Sequence, residues 1–389
     1  MQLVVLGASL AMSAQAQERT AADSPVPQGC DVIANGTGVA ADEVRAMPFP
    51  PTQLEVRTPV APTLFPSAGR DYLLYEIYLT NFSDGAMAVR GVEILNADDD
   101  RMRVVSVIKE AQVKERMRMV GGGAQRDAAR LDAGQGAIIS LCFAFDKTTA
   151  PAKLRHRVVL DGAFADGPVV ATRSTTMHVL GRPLAGSDWT ADNGPSLHSH
   201  HRKGVFVAGG LAQNARRYAI DWKIYRRGEI YSGDARDVRA YYSYGRDVVA
   251  VADGLVAGAR NDMPDNIPRT NDGFTPAVAL TMDNLAGNFI TIDLGNGQYA
   301  QYMHLQPGSV RVKAGDKVRK GQLVASVGNS GDARVPHLHF QVTTGTDILD
   351  GEGVPYLIDR FRMRVDEGKW EARTREYPLD GAVIDFGAE

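Results

Sequence analysis

Between residues 70 and 182 the chain runs as short segments in which apolar residues tend to alternate with polar ones: 72–79, 87–95, 104–108, 137–145, 154–160, 169–172 and 177–180. A period of two is the mark of a half-buried strand, because successive side chains leave opposite faces. Turn residues separate the segments, as at Asn81, Ser83, Asp84 and Gly85. Residues 109–135 break the rhythm with charge and a glycine run around Gly122, which predicts a mobile loop. After residue 185 the strand-and-turn pattern resumes and continues to the end.

Strands at this spacing predict a mainly β protein in two units. An immunoglobulin-like β-sandwich is expected over 66–182 and a second, antiparallel β domain over 185–389, joined by a linker at 181–189. Residues 17–65 are rich in proline, alanine and polar side chains and predict an extended leader. Ahead of it, residues 1–16 carry a short apolar stretch, Leu3 to Ala14, and small residues at Ala14 and Ala16. That is the pattern of a secretory signal, although no Lys or Arg precedes the apolar stretch. Export to the periplasm or the extracellular space is therefore expected, where Cys30 and Cys142 could form a disulfide.

Composition narrows the function. A formal charge of −3 over 389 residues provides no broad cationic field, so nucleic acid is not an expected partner. No run of about 18 apolar residues follows the N-terminus, so the mature chain is expected to lack a membrane span. Two cysteines are too few for a thiolate cluster. The string GNSG at 328–331 is not a nucleophile elbow. Six of the eight histidines fall after residue 185, which points to chemistry in the second unit. His156 and His178 stand isolated on front-half strands and predict no ligand role.

Four strings carry that chemistry: AVADGLV at 250–256, GNFITIDLGNGQYAQYMHL at 287–305, VKAGDKVRKGQLVASVGNSG at 312–331 and PHLHF at 336–340. On a strand, His337 and His339 would share one face. In this order, over about 100 residues, the strings resemble the LytM/lysostaphin type of zinc peptidoglycan endopeptidase. The resemblance does not extend to the first 180 residues. It implies a compact antiparallel β domain with a groove and a Zn²⁺ cofactor. It also implies His339 and Asp221 as metal ligands, and His304 and His337 as the catalytic histidines that position water or stabilise charge. The substrate it implies is peptidoglycan, or another peptide.

One position departs from the family. Four residues before Asp221, where the family has a histidine ligand, stands Arg217, which has no lone pair to give. A hairpin turning near residue 211 would bring His201 opposite Asp221, and one register over it would bring His200. His201 is the expected third ligand, with His200 the alternative. Arg216 and Arg217 are placed either to meet a substrate carboxylate or to form structural ion pairs. Asp253, Asp293, Asp316 and Asn329 sit beside glycines and are explained by turn chemistry. The expected function is an exported zinc metalloendopeptidase. The alternatives are a degenerate domain that binds the wall or activates another hydrolase, and a protease of non-wall peptides.

Overall fold

The computed structural model describes residue 26 and residues 30–33, 49–120 and 129–387. The expected signal, most of the leader and the glycine run around Gly122 lie outside the described residues. Within them the chain is mainly β, as the alternation predicts.

The front half forms two sheets. In one, the strand order is Asp31–Ile33, Gly136–Asp146, Arg70–Asn81 and Leu54–Arg57, and in the other it is Phe164–Asp166, Lys153–Leu160, Met87–Asn96 and Val104–Lys109. Leu73, Ile77 and Leu79 on the first sheet and Val92, Ile94 and Val158 on the second bury one core between them. The strand Arg70–Asn81 reads as a nearly continuous apolar run because it is covered on both faces. Its odd-numbered residues enter that core, while Tyr72 and Leu74 join a second core shared with the C-terminal half. Cys142 and Ala144 do the same from the neighbouring strand. Cys30 and Cys142 are joined by a disulfide, which ties the segment before Asp31–Ile33 to the centre of the first sheet.

Several expectations change. Residues 54–57, placed in the leader, are a strand paired with Arg70–Asn81. Part of the expected mobile loop is a helix, Glu110–Arg116, which buries Val113, pairs Lys114 with Glu110 and sends Arg116 to Asp31. The last expected front-half strand, Val179–Leu180, instead pairs in parallel with Leu357–Asp366 of the C-terminal sheet. The expected linker is core: Leu180, Leu184 and Trp189 are fully buried, so the halves meet across apolar contacts and not through an exposed tether.

His156 is fully buried between the two front sheets and meets the Tyr75 hydroxyl at 2.7 Å. Burial pushes its pKa down to about 4. The unfolded state takes up this proton below about pH 6.5 and the native state does so only near pH 4, so acid costs stability across that window. Relative to His156→Gln, the protein is expected to lose about 3 kcal/mol between pH 7 and pH 4 in urea titrations. A pH-independent difference would refute this.

The C-terminal half is organised by one 11-stranded sheet. At its centre run four neighbours, Trp189–Asp192, Ile220–Ile224, Leu338–Thr343 and Gln298–Leu305. The C-terminal strands Leu357–Asp366, Lys369–Glu376 and Val383–Asp385 complete the sheet on the side of Trp189–Asp192.

Candidate metal centre

Register places the site. Asp221 lies opposite His339 across one strand pair, and His339 lies opposite Met303 across the next. Directly opposed residues share a face, so the carboxylate and the imidazole meet, with His339 Nδ1 2.9 Å from Asp221 Oδ1. His337 stands just before the strand Leu338–Thr343 and brings its Nε2 to 3.4 Å from the same oxygen. His304 has a left-handed backbone (φ 62°), which breaks the strand alternation. As a result Met303 and His304, sequence neighbours, both line cavities on the same side of the sheet.

His201 arrives by a different route from the one expected. A hairpin does form, from Phe206–Ala208 and Leu211–Gln213, but it ends there. The strand Ile220–Ile224 pairs with Trp189–Asp192 and Leu338–Thr343, leaving no room for residue 201 beside Asp221 in the sheet. His201 sits instead on the turn at 199–204 and reaches down from above, with its Nε2 3.5 Å from Asp221 Oδ1. His201 is 2% exposed; His200 beside it is exposed but also lines the cleft, and its imidazole lies within ligating reach of His201 and Asp221. Arg217 points away from the cavity, onto Glu76 and Glu352.

The hydrogen bonds fix which imidazole nitrogens are free. His201 donates from Nδ1 to the Asn193 carbonyl at 2.8 Å, His304 to that of Ser330 at 2.9 Å and His337 to that of Val335 at 2.7 Å. A carbonyl only accepts, so each Nε2 is left with a bare lone pair. For His339 the assignment is reversed. Gln341 spends its amide hydrogens on Gln301 Oε1 and the Ile348 carbonyl, so its Oε1 takes the His339 Nε2 proton. His339 Nδ1 therefore faces the carboxylate oxygen at 2.9 Å, a contact that a proton or a metal cation between the two atoms makes favourable. The donor set thus fits a divalent metal of the zinc type, bound through imidazole nitrogen and carboxylate oxygen.

Electrostatics agree. Burial holds the His201 and His304 imidazoles well below their ordinary pKa, which keeps their lone pairs available at neutral pH. Burial alone would raise the pKa of Asp221, but the surrounding histidines outweigh it and the carboxyl stays well below the usual range. Its second oxygen accepts from Asn193 Nδ2 at 2.7 Å. Asn193 therefore holds both His201 and Asp221, and its own backbone is left-handed (φ 54°), which asparagine tolerates. No motif in the sequence marks Asn193. Gln341 had a signal, since it stands two residues after His339 and so shares its strand face.

These groups line a cleft of 410 Å³, together with Arg216, Lys223, Arg269 and Arg334. Lys223 is paired with Asp192 and Arg334 with Asp332. Arg216 lies over the Phe206 ring at 5.0 Å and makes no ion pair among the described residues. No described residue of the front half lines the cleft. Asp293 and Asp316 each accept a backbone N–H two or three residues away in a turn, as expected of them, whereas Asp253 accepts that of Lys320, distant in sequence.

A buried carboxylate ringed by imidazoles at the floor of a β-sheet cleft is an arrangement that could hold a divalent metal. Residues 236–351, under a third of the chain, match Peptidase family M23. The match contains His304, His337 and His339 but not Asn193, His201 or Asp221. Over 80 residues the chain is 35% identical to the peptidoglycan DD-endopeptidase ShyA of Vibrio cholerae, covering 21% of this chain and 18% of ShyA. Over 118 residues it is 31% identical to the glycyl-glycine endopeptidase ALE-1 of Staphylococcus capitis, covering 30% and 26%. The chain thus spans about a quarter or less of these relatives. Among solved structures it is similar to a zinc-containing peptidase from Vibrio cholerae, at 15% identity and a TM-score of 0.25 over 77% of this chain and 85% of that one. It is likewise similar to the catalytic domain of lysostaphin from Staphylococcus simulans, at 17% identity and 0.21 over 45% and 88%.

Proposed function

We propose that the protein is an exported zinc metalloendopeptidase that hydrolyses peptide cross-links of peptidoglycan. The observation that carries this is the convergence of three imidazole nitrogens on Asp221 Oδ1, with His304, His337 and His339 inside the stretch that matches family M23. His201, Asp221 and His339 would hold the zinc. His201 and Asp221 are favoured as a pair because Asn193 grips both. A zinc ion there supplies a water of lowered pKa and polarises the scissile carbonyl. His304 and His337 offer Nε2 lone pairs across the cleft, with ring centroids 4.9 Å apart. Kept neutral by burial, His304 could take a proton at Nε2 from the attacking water and, as imidazolium, donate that proton to the tetrahedral oxygen or the leaving amine, and His337 Nε2 is placed to share either task. The disulfide between Cys30 and Cys142 supports an oxidising compartment.

The competing reading, a degenerate domain that binds the wall or activates another hydrolase, rests on the loss of the ligand at Arg217. His201 beside Asp221 weighs against it. The deciding experiment is digestion of purified peptidoglycan by the zinc-loaded chain, with mass spectrometry of the products. Release of cleaved cross-links, abolished by a chelator and restored by zinc, is expected; intact muropeptides throughout would sink the enzyme reading. With its unpaired guanidinium in the cleft, Arg216 is suited to a substrate carboxylate. Arg216→Ala is expected to raise KM about tenfold for peptides with a free carboxylate and little for their amides.

A further inference from the structure

The strand Arg70–Asn81 belongs to the front sheet, yet one of its charged side chains is bonded to residues of the two segments that carry His201 and Asp221. Glu76 is 3% exposed and stands on the same face as Tyr72 and Leu74, towards the C-terminal half. Its two oxygens go to two different arginines. One accepts from the Arg202 guanidinium, and the other from Arg217 Nε at 2.7 Å. Arg202 follows His201 directly, and Arg217 precedes Asp221 by four residues.

We propose that Glu76 is a positioning residue for the metal site, acting through Arg202 and Arg217 on the two segments that carry His201 and Asp221. The proposal rests on the zinc reading above. Its physical basis is the geometry of the turn at 199–204. No strand supports that turn, and its backbone closes through Arg202 N–H to Ser199, Lys203 N–H to His200 and Gly204 N–H to His201, each at 3.2 Å, with His201 N–H also on Ser199 Oγ at 3.2 Å. Ser199 Oγ and His201 Nδ1 fasten one end of the turn to the Asn193 carbonyl, and the Arg202 side chain pins it to the front half, fully buried in the front sheet, where it also donates to the Tyr75 and Leu141 carbonyls at 3.1 and 3.2 Å. Arg118, from the front half too, donates to the Lys203 carbonyl at 2.8 Å. Asn214 Nδ2 donates to the Arg202 carbonyl at 3.2 Å and so links the turn to the chain leading into Asp221. Arg217 completes the network on Glu352 at 2.8 Å.

Two buried guanidinium groups thus face two carboxylates, and Glu76 is the member shared by both arginines. Without its charge the arginines confront each other in a medium of low dielectric, and the cheapest relief is for Arg202 to leave the sheet. Arg202 cannot leave without moving His201. The arginine that replaces the family's usual histidine is therefore accounted for. It lies on the front sheet's carboxylate, while the ligand role falls to a turn which that same carboxylate holds.

The test compares the full-length wild type with Glu76→Gln, which keeps shape and removes charge. Zinc affinity by chelator competition is expected to fall about 10–100-fold, and the visible spectrum of the cobalt-substituted protein to change. The variant's far-ultraviolet circular dichroism should match the wild type. Unchanged affinity and an unchanged cobalt spectrum, with only a lowered melting temperature, would make Glu76 merely structural and overturn the proposal. If Glu76→Gln does not fold, Arg202→Lys, which keeps charge but loses the fork, carries the same comparison. A third readout needs no metal. The His201 Nδ1 proton bonded to Asn193 should be a slowly exchanging imidazole signal in wild-type nuclear magnetic resonance spectra and should be lost in the variant. Should the wild type take up no zinc, the function reading fails, and this proton still decides whether Glu76 holds His201.

Discussion

Asp221→Asn is expected to leave the chain folded but unable to keep zinc, with bound metal falling from about one ion per chain to a small fraction and hydrolysis to background. The side chain changes by one atom, so packing at a position only 4% exposed is preserved. Asn193 still finds an acceptor on the new amide. What is lost is the negative charge on which the ring nitrogens of His201, His337 and His339 converge. Without metal, the histidines around Asp221 hold its carboxyl well below the usual range, so the charge stabilises the fold at neutral pH and the metal-free variant should melt lower than the metal-free wild type. Metal analysis together with calorimetry checks both statements. Zinc retained at full stoichiometry in Asp221→Asn would remove Asp221 from the ligand set and direct attention to His304, His337 and His339, which also cluster closely.

The second large effect concerns the disulfide. Cys30 and Cys142 close a loop with a sequence separation of 112 residues, and loops of about 100 residues lie at the strong end of what a cross-link contributes, near 4–5 kcal/mol in the chain-entropy view. Cys30→Ala is the cleaner probe, because Cys142 is buried in the core shared by the two halves and its truncation would add a cavity cost. A loss of about 2–5 kcal/mol in denaturant unfolding is expected, with wild-type protein kept under strong reductant behaving like the variant. Stability within about 0.5 kcal/mol of the oxidised wild type would show that the packing of Asp31–Ile33 against Gly136–Asp146 already anchors this segment.

How much of this could be read in advance differs by residue. Strand positions were legible wherever one face is polar, as at 87–96 and 153–160, because alternation reports burial directly. The strings around His304, His337 and His339 identified the family stretch because they run along single strands and turns. The rest depends on partners distant in sequence. Nothing local says that Trp189 ends a buried segment instead of a linker, since its contacts come from the strand Ile220–Ile224 and from Phe386-bearing chain at the far end. His201 was reached by assuming a hairpin longer than the real one. The residue lines the cleft, but it does so from a turn, and turn conformation has no periodicity to read. Asn193 and Glu76 escaped altogether. Each is a single polar residue whose role appears only when two segments meet on it, Asn193 between His201 and Asp221, Glu76 between Arg202 and Arg217.

The left-handed backbone at His304 has a practical consequence for dissecting the site. A positive φ taxes every side chain except glycine, and asparagine least among the rest. An alanine at this position would therefore remove the imidazole and also let the chain relax towards ordinary strand geometry, swinging Met303 out of its cavity. Such a variant would confound lost chemistry with a rearranged floor. Asparagine preserves the twist while deleting the base, so His304→Asn isolates the contribution of one proton acceptor from the architecture that presents it.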